Sequence, residues 1–156
     1  MDKPGGQQHP AQIPREAVHL LWHCGYWDGP LSGVCLYQGD RCWFEAIDPF
    51  DEERDDYVYP RRAGLYRLSP EELHVQEELH RQFQRYMGMH SEYDENEQRP
   101  FEGAVRPKDE WKGFERWLTQ QPKRTFDFRH NEMLGWFDLG SLQDTQRLIR
   151  MPPQNS

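Results

Sequence analysis

What the chain has little of narrows it first. No apolar run approaches the ~20 residues that a membrane-spanning helix needs, so no membrane contact of that kind is expected. The opening residues, MDKPGGQQHPAQIP, carry neither the apolar stretch nor the small-residue cleavage site of a secretory leader, and a cytoplasmic location is the expectation. Cysteine is scarce. Cys24, Cys35 and Cys42 are an odd number with no CxxC spacing, which argues against a disulfide framework. Bases are outnumbered, with 19 Lys and Arg against 27 Asp and Glu and a net charge of -8. Such a chain lacks the broad cationic face that a phosphate backbone or an anionic lipid surface requires. Direct nucleic-acid binding and membrane binding are therefore not expected, and the short basic pairs Arg61-Arg62 and Lys123-Arg124 read as solvated surface. GxSxG, HExxH, P-loop and GxGxxG patterns are absent, and no cofactor is expected.

Aromatic residues are what the chain does have. Apolar residues make up only 35% of it and the mean hydropathy is -1.08, low values for a folded protein. Six Trp, seven Tyr and eight Phe compensate, because each ring buries a large area and disordered chains are poor in them. A length of 156 residues suits one domain with its own core. The Pro-, Gly- and Gln-rich ends, residues 1–14 and 151–156, are expected to be flexible tails around a single domain at 15–150.

The stretch from Ala17 to Ile47 reads as three consecutive antiparallel strands. In the first, a period of two places Val18, Leu20, Trp22, Cys24 and Tyr26 on one face and His19, Leu21 and His23 on the other. Asp28-Gly29-Pro30 breaks it. Val34–Tyr37 and Arg41–Ile47 form a hairpin. With Gly39 as the first central residue of a type II′ turn, Tyr37 pairs with Cys42 and Cys35 with Phe44. Val34, Leu36, Trp43, Glu45 and Ile47 then share the opposite face. Both faces are mainly apolar, which asks for a cover on each side.

Asp48–Asp56 reads as an acidic loop without EF-hand ligand spacing, and Ala63–Leu68 as a fourth strand. Ser69, Pro70 and Glu72 are an N-cap, a first-turn proline and a capping box. They open a helix to Met87, with Val75, Leu79, Phe83, Tyr86 and Met87 on its apolar face and Gly88 at its end. A long acidic loop follows. A second helix is expected over Lys108–Leu118, a hairpin from Thr125–Phe128 and Glu132–Phe137, and a last short helix capped by Ser141 and running to Ile149. The fold expected is α+β: a single domain whose twisted antiparallel sheet of four to six strands carries the Ser69–Met87 helix on one face. Its other face would be covered by Trp111–Leu118 or by a second subunit, giving a homodimer through the Val34–Ile47 hairpin.

Candidate chemistry is sparse. His19 and His23 lie about 13 Å apart along a regular strand, too far to share a metal. Glu71-His74 and Glu77-His80 have E-x-x-H spacing but sit on one helix and point in different directions, so an ordinary charged helix face is the reading and no metal is expected. Buried, unassisted cysteines are poor nucleophiles. Tyr26, Trp27 and Trp43, around the Asp28 turn, form a candidate aromatic wall for a peptide, sugar or small ligand. Glu45, on an apolar face with Arg41 as a candidate partner, His23, and His80, which projects at the edge of the helix's apolar arc next to Gln76 and Met87, where a half-buried histidine titrates near neutrality, complete the candidate binding residues.

The run WDGPLSG followed by YQGDRCWF resembles the opening of small bacterial proteins with no established activity, over about 30 residues. The resemblance implies an accessory protein rather than a metabolic enzyme. The function expected is a protein-interaction or small-ligand-binding module that self-associates, and not an enzyme. The alternatives are a small enzyme or metal-dependent protein with its site near His23, Asp28, Glu45 and His80, and an acidic decoy of a nucleic-acid-binding partner.

Overall fold

Apolar alternation in the first third of the chain produces three strands: β1 (Val18–Cys24), β2 (Ser32–Tyr37) and β3 (Asp40–Ala46). The structure, a computed structural model, describes residues 10–24, 31–48, 50–87, 91–93, 95–97, 108–120 and 127–148. Beyond β3 come β4 (Phe50–Asp51), β5 (Asp56–Tyr57), β6 (Arg61–Tyr66), the helix α1 (Pro70–Met87) and β7 (Ser91–Glu92). The helix α2 (Lys108–Thr119), β8 (Met133–Gly140) and the short helix α3 (Leu142–Arg147) follow. Six strands form one sheet in the order β7-β1-β2-β3-β6-β8, each antiparallel to its neighbour. The chain is a single α+β domain with one main helix.

β1 departs from strict alternation. Leu20 pairs with Cys35 and Trp22 with Val34, so one residue of β1 is extra. A bulge of this kind flips every later side chain relative to the earlier ones. Leu20 and Trp22, expected on one face, therefore belong to opposite cores. Val18 and Leu20 join Cys35, Cys42, Phe44, Leu65 and Phe137. Leu21 and Trp22 join Val34, Trp43 and Phe128.

The hairpin register also differs from expectation. Tyr37 pairs with Asp40 and Cys35 with Cys42, because Gln38 and Gly39 are the two central turn residues, with φ of 52° and 82°. Positive φ at both is the type I′ pattern. Each residue's partner moves by two positions, which preserves parity, so the face assignments of Cys35, Cys42 and Phe44 against Val34 and Trp43 stand.

Both faces of the hairpin are covered within one chain. On the Phe44 side, Ile13, Tyr93 and Leu148 close the core. Ile13 comes from the expected N-terminal tail, whose end is docked. Its N–H donates to Trp136 O (2.7 Å), and Trp136 N–H donates to Ala11 O (3.1 Å). On the Trp43 side lies α1. Ser69 N–H donates to Glu72 Oε1 (2.8 Å) and Glu72 N–H to Ser69 Oγ (3.1 Å), the reciprocal cap read from sequence. The most buried side chains described on α1 are Gln76 and His80, with Val75 and Leu79 half-buried, so the helix is rotated from its purely apolar face. Instead of covering the far side of the sheet, α2 packs against α1. β8 does not pair back on residues 127–128; it pairs with β6. Ser141 caps α3, donating from N–H and Oγ to Asp144 Oδ2 (2.9 and 2.8 Å).

The bulge has a steric counterpart on β2. A Cβ added at Gly33 would meet Trp22 O at 2.2 Å and His23 Cα at 2.6 Å, both backbone atoms that cannot swing away. Gly33→Ala is expected to destabilise the fold by about 3 kcal/mol, the upper range for overpacking. Urea titration followed by tryptophan fluorescence measures it, and a loss below about 0.5 kcal/mol would contradict the tight approach of β1 on β2.

Candidate functional site

Of the residues singled out by sequence, the described ones, His23, Trp43, Glu45 and His80, do not assemble into one site. Trp43 is buried, not a surface wall. It meets Trp22 edge-on at 6.4 Å and Phe128 at 5.0 Å, and its indole N–H donates to Glu45 Oε1 (3.2 Å). Glu45 lies 3.8 Å from Arg129, while Arg41, its expected partner, binds Glu77 instead. Burial and then the nearby Glu45 charge push the Tyr66 hydroxyl upward. His80 stacks flat on Trp22, with centroids 4.4 Å apart and planes 9° apart. Burial, then the charge of Arg81, lowers its pKa from 6.5 to about 3.

His23 lies across the sheet from His80. Its Nδ1 hydrogen-bonds Tyr93 Oη, and Tyr93 Oη donates to Leu148 O (3.0 Å). His23, Tyr93 and Leu148 are all buried, so this relay ties the C-terminal segment to β1. A single site drawing on both His23 and His80 is thus not formed. Tyr26, Trp27 and Asp28 lie outside the described residues.

A different group does converge, at the outer edge of β1. β7 covers that edge only at Trp22 and His23. Below it the open backbone groups are taken one by one. Leu21 O accepts from Tyr93 N–H (2.8 Å), Leu20 N–H donates to Glu97 Oε2 (2.9 Å), and Val18 O accepts from Arg15 Nη1 (2.7 Å). Arg15 Nη2 closes the bracket on Glu97 Oε1 at 2.5 Å. An edge strand sealed by side chains resists pairing with another chain. Glu97 achieves this with φ at +58°, a conformation that costs a non-glycine residue on the order of 1–3 kcal/mol and concentrates at functional positions.

This bracket floors an open cleft of about 450 Å³. Arg15, Glu16, Val18 and His19 line one wall, and Glu95, Asn96 and Glu97 the other. His19 Nδ1 stands 3.9 Å from Glu97 Oε2. Three carboxylates and one guanidinium thus line the cleft, and the guanidinium is already engaged by Glu97 and by a carbonyl. The sequence gives no local signal of the cleft, since Arg15 and Glu97 are 82 positions apart. Among the described residues, no group of three or more His, Cys, Asp or Glu side chains is arranged to hold a metal ion, and no described helix is long and apolar enough to cross a membrane.

Compared with protein-family models, curated proteins and solved structures, the chain matches none.

The shifted His80 yields a pH dependence. Above pH 6.5 neither the folded nor the unfolded state holds a proton there, and its stability contribution is complete. As pH falls from 6.5 toward 3 only the unfolded chain takes up the proton, so the fold loses about 1.4 kcal/mol per pH unit. Urea midpoints between pH 6.5 and 5 are expected to drop, and His80→Phe, which keeps a ring on Trp22, should flatten that slope. Equal slopes in the two proteins would refute a neutral buried His80.

Proposed function

We propose that this protein is a small binding module, and that the cleft at the edge of β1 takes a small organic ammonium ligand. The observation behind this reading is the strained, half-buried Glu97 at the floor of a cleft of about 450 Å³. That volume falls in the range of small-molecule sites. The charges on the walls choose the sign of the ligand. Glu16 and Glu95 favour a cation, because Arg15 and Glu97 offset each other. Asn96 and His19 add polar groups for orienting a ligand. The resemblance of WDGPLSG and YQGDRCWF supports, as the setting of this role, an accessory protein of a bacterial cytoplasm.

Self-association through Val34–Ile47 is a second proposal, on a smaller patch than the sequence implied. Val34, Cys35, Cys42, Trp43 and Phe44 are spent on the chain's own cores, and Leu36 and Ile47 remain exposed. Leu36 pairs with Arg41, six positions before Ile47, so the two lie about 20 Å apart by strand rise, and the second copy is proposed to meet Leu36. Light scattering on a sizing column at high protein concentration is expected to show a dimer that Leu36→Asp dissociates, and a monomer throughout would end this second proposal.

The cleft is tested with putrescine, spermidine and lysine as probes, by calorimetry and thermal unfolding. Binding should be saturable in the micromolar to millimolar range, raise the melting temperature as ligand binding to the native state must, and weaken at least tenfold in Glu95→Gln. Glu95 is exposed and carries none of the bracket's hydrogen bonds, so this variant should fold normally. No saturable binding by any probe, or unchanged binding in the variant, would sink the proposal.

A further inference from the structure

A second surface is independent of the cleft. Between β3 and β6 the chain leaves the main sheet and makes the separate hairpin β4–β5. Its pairs are Phe50 with Tyr57 and Asp51 with Asp56. The two rings meet edge-on at 5.1 Å, yet Phe50 remains 44% exposed, and Ile47, three residues before it, 43%. Three residues of chain hold their two Cα atoms within about 11 Å of each other.

The tip between the two strands is acidic. Asp51 Oδ1 accepts from Glu53 N–H and Arg54 N–H (3.0 and 3.4 Å), and Asp56 Oδ1 from Tyr57 N–H (2.7 Å), so these two carboxylates shape the turn. Glu52, Glu53 and Asp55 are exposed, and none of them makes an ion pair among the described residues.

The hairpin is fastened from below. Arg61, fully buried, lies over the rings of Tyr57 (4.5 Å) and Tyr59 (5.2 Å) and donates to Tyr59 Oη (3.0 Å). Asp48 binds Arg62 through both Nε and Nη2 (3.0 and 2.8 Å), fixing the chain just before Phe50. A preorganised element loses little entropy on docking. An exposed aromatic on a hairpin whose tip, Asp51 to Asp56, holds five carboxylates against the single base Arg54 combines an apolar contact with a net acidic rim.

We propose that the β4–β5 hairpin is a docking element for a basic segment of a partner protein. Phe50 and Ile47 receive an apolar side chain of that segment, and Glu52, Glu53 and Asp55 receive the flanking Lys or Arg residues. The charge of the tip selects the partner's sign. Rim charges of this kind act mainly on encounter rate and salt dependence, while the buried aromatic sets affinity.

The test uses the full chain and two fluorescein-labelled synthetic peptides of alternating leucine and lysine, or leucine and glutamate, read by anisotropy. The lysine peptide should bind saturably and the glutamate peptide should not. Raising salt from 50 to 500 mM should weaken binding at least tenfold, and so should the triple variant Glu52→Gln, Glu53→Gln, Asp55→Asn, which alters only exposed side chains. Phe50→Ala should weaken it further, and Glu95→Gln in the cleft should leave it unchanged. No saturable binding of the lysine peptide, equal binding of both peptides, or binding indifferent to the triple variant would overturn the proposal. So would loss of binding in Glu95→Gln, which would place the peptide in the cleft. A dimer that Phe50→Ala dissociates would also overturn it, since a second copy would then occupy the patch.

Discussion

The extra residue in β1 between Leu20 and Trp22 is the constraint on which the rest of the structure depends. Without it, Trp22 would share a face with Leu20 and the two cores would lose their partition. With it, Trp22 becomes the platform on which His80 stacks, and this orients α1. His23 turns to the other side, where Tyr93 and the Leu148 carbonyl hold the C-terminal segment. The same irregularity brings the β1 backbone so close to β2 that only a glycine fits at position 33. Directly before the bulge, the Leu20 N–H turns outward to the Glu97 carboxylate. One local geometry thus sets the helix, the chain end and the floor of the cleft.

A chain of low hydropathy needs a core of this kind. Burying one Phe-sized ring contributes about 1.5–3 kcal/mol, and Trp43, Phe44, Phe128 and Phe137 are all fully buried. The polar residues among them are not incidental. Gln76, His80, His23 and Arg61 are buried as well. A buried polar group is costly unless its contacts are right, so these residues favour one packing over others that aromatic rings alone would tolerate. Arg61 shows how, because its guanidinium stacks on two tyrosines and joins the small sheet to the large one.

Local physics was legible in the sequence, and non-local physics was not. The capping box at Ser69 and the cap at Ser141 depend on residues three positions apart, and both form as read. The hairpin faces survived an error in turn type because parity survived it. Trp22 was misplaced because a bulge has no signature in a run of apolar residues; its only trace was Gly33, a strand glycine marking a close backbone approach. The α1 face was misjudged because Gln76 and His80 count as polar in a periodicity argument, although a flat ring over Trp22 is a good core contact. Of the candidate site residues, Trp43 and His80 became core, His23 went to the far face, and the cleft arose from Arg15 and Glu97, which no spacing rule connects.

The net charge of -8 is distributed unevenly, and this gives it meaning. Asp48, Glu77, Glu78, Glu97, Asp127 and Glu132 each face a basic side chain and bind parts of the chain to one another. Among the exposed carboxylates without such partners in the described residues, Asp40, Glu71 and Glu115 are scattered, while Glu16 and Glu95 sit together at the cleft and Glu52, Glu53 and Asp55 at the hairpin tip. A uniformly acidic surface would repel anions and little else. Two concentrated patches, one concave and one projecting with an aromatic at its base, create local potentials able to steer cations of different size. In the sheet order the cleft borders β1 and the hairpin joins β3 to β6, with β2 between. The two patches therefore occupy different elements, and a small ammonium ligand in one need not displace a basic chain docked on the other.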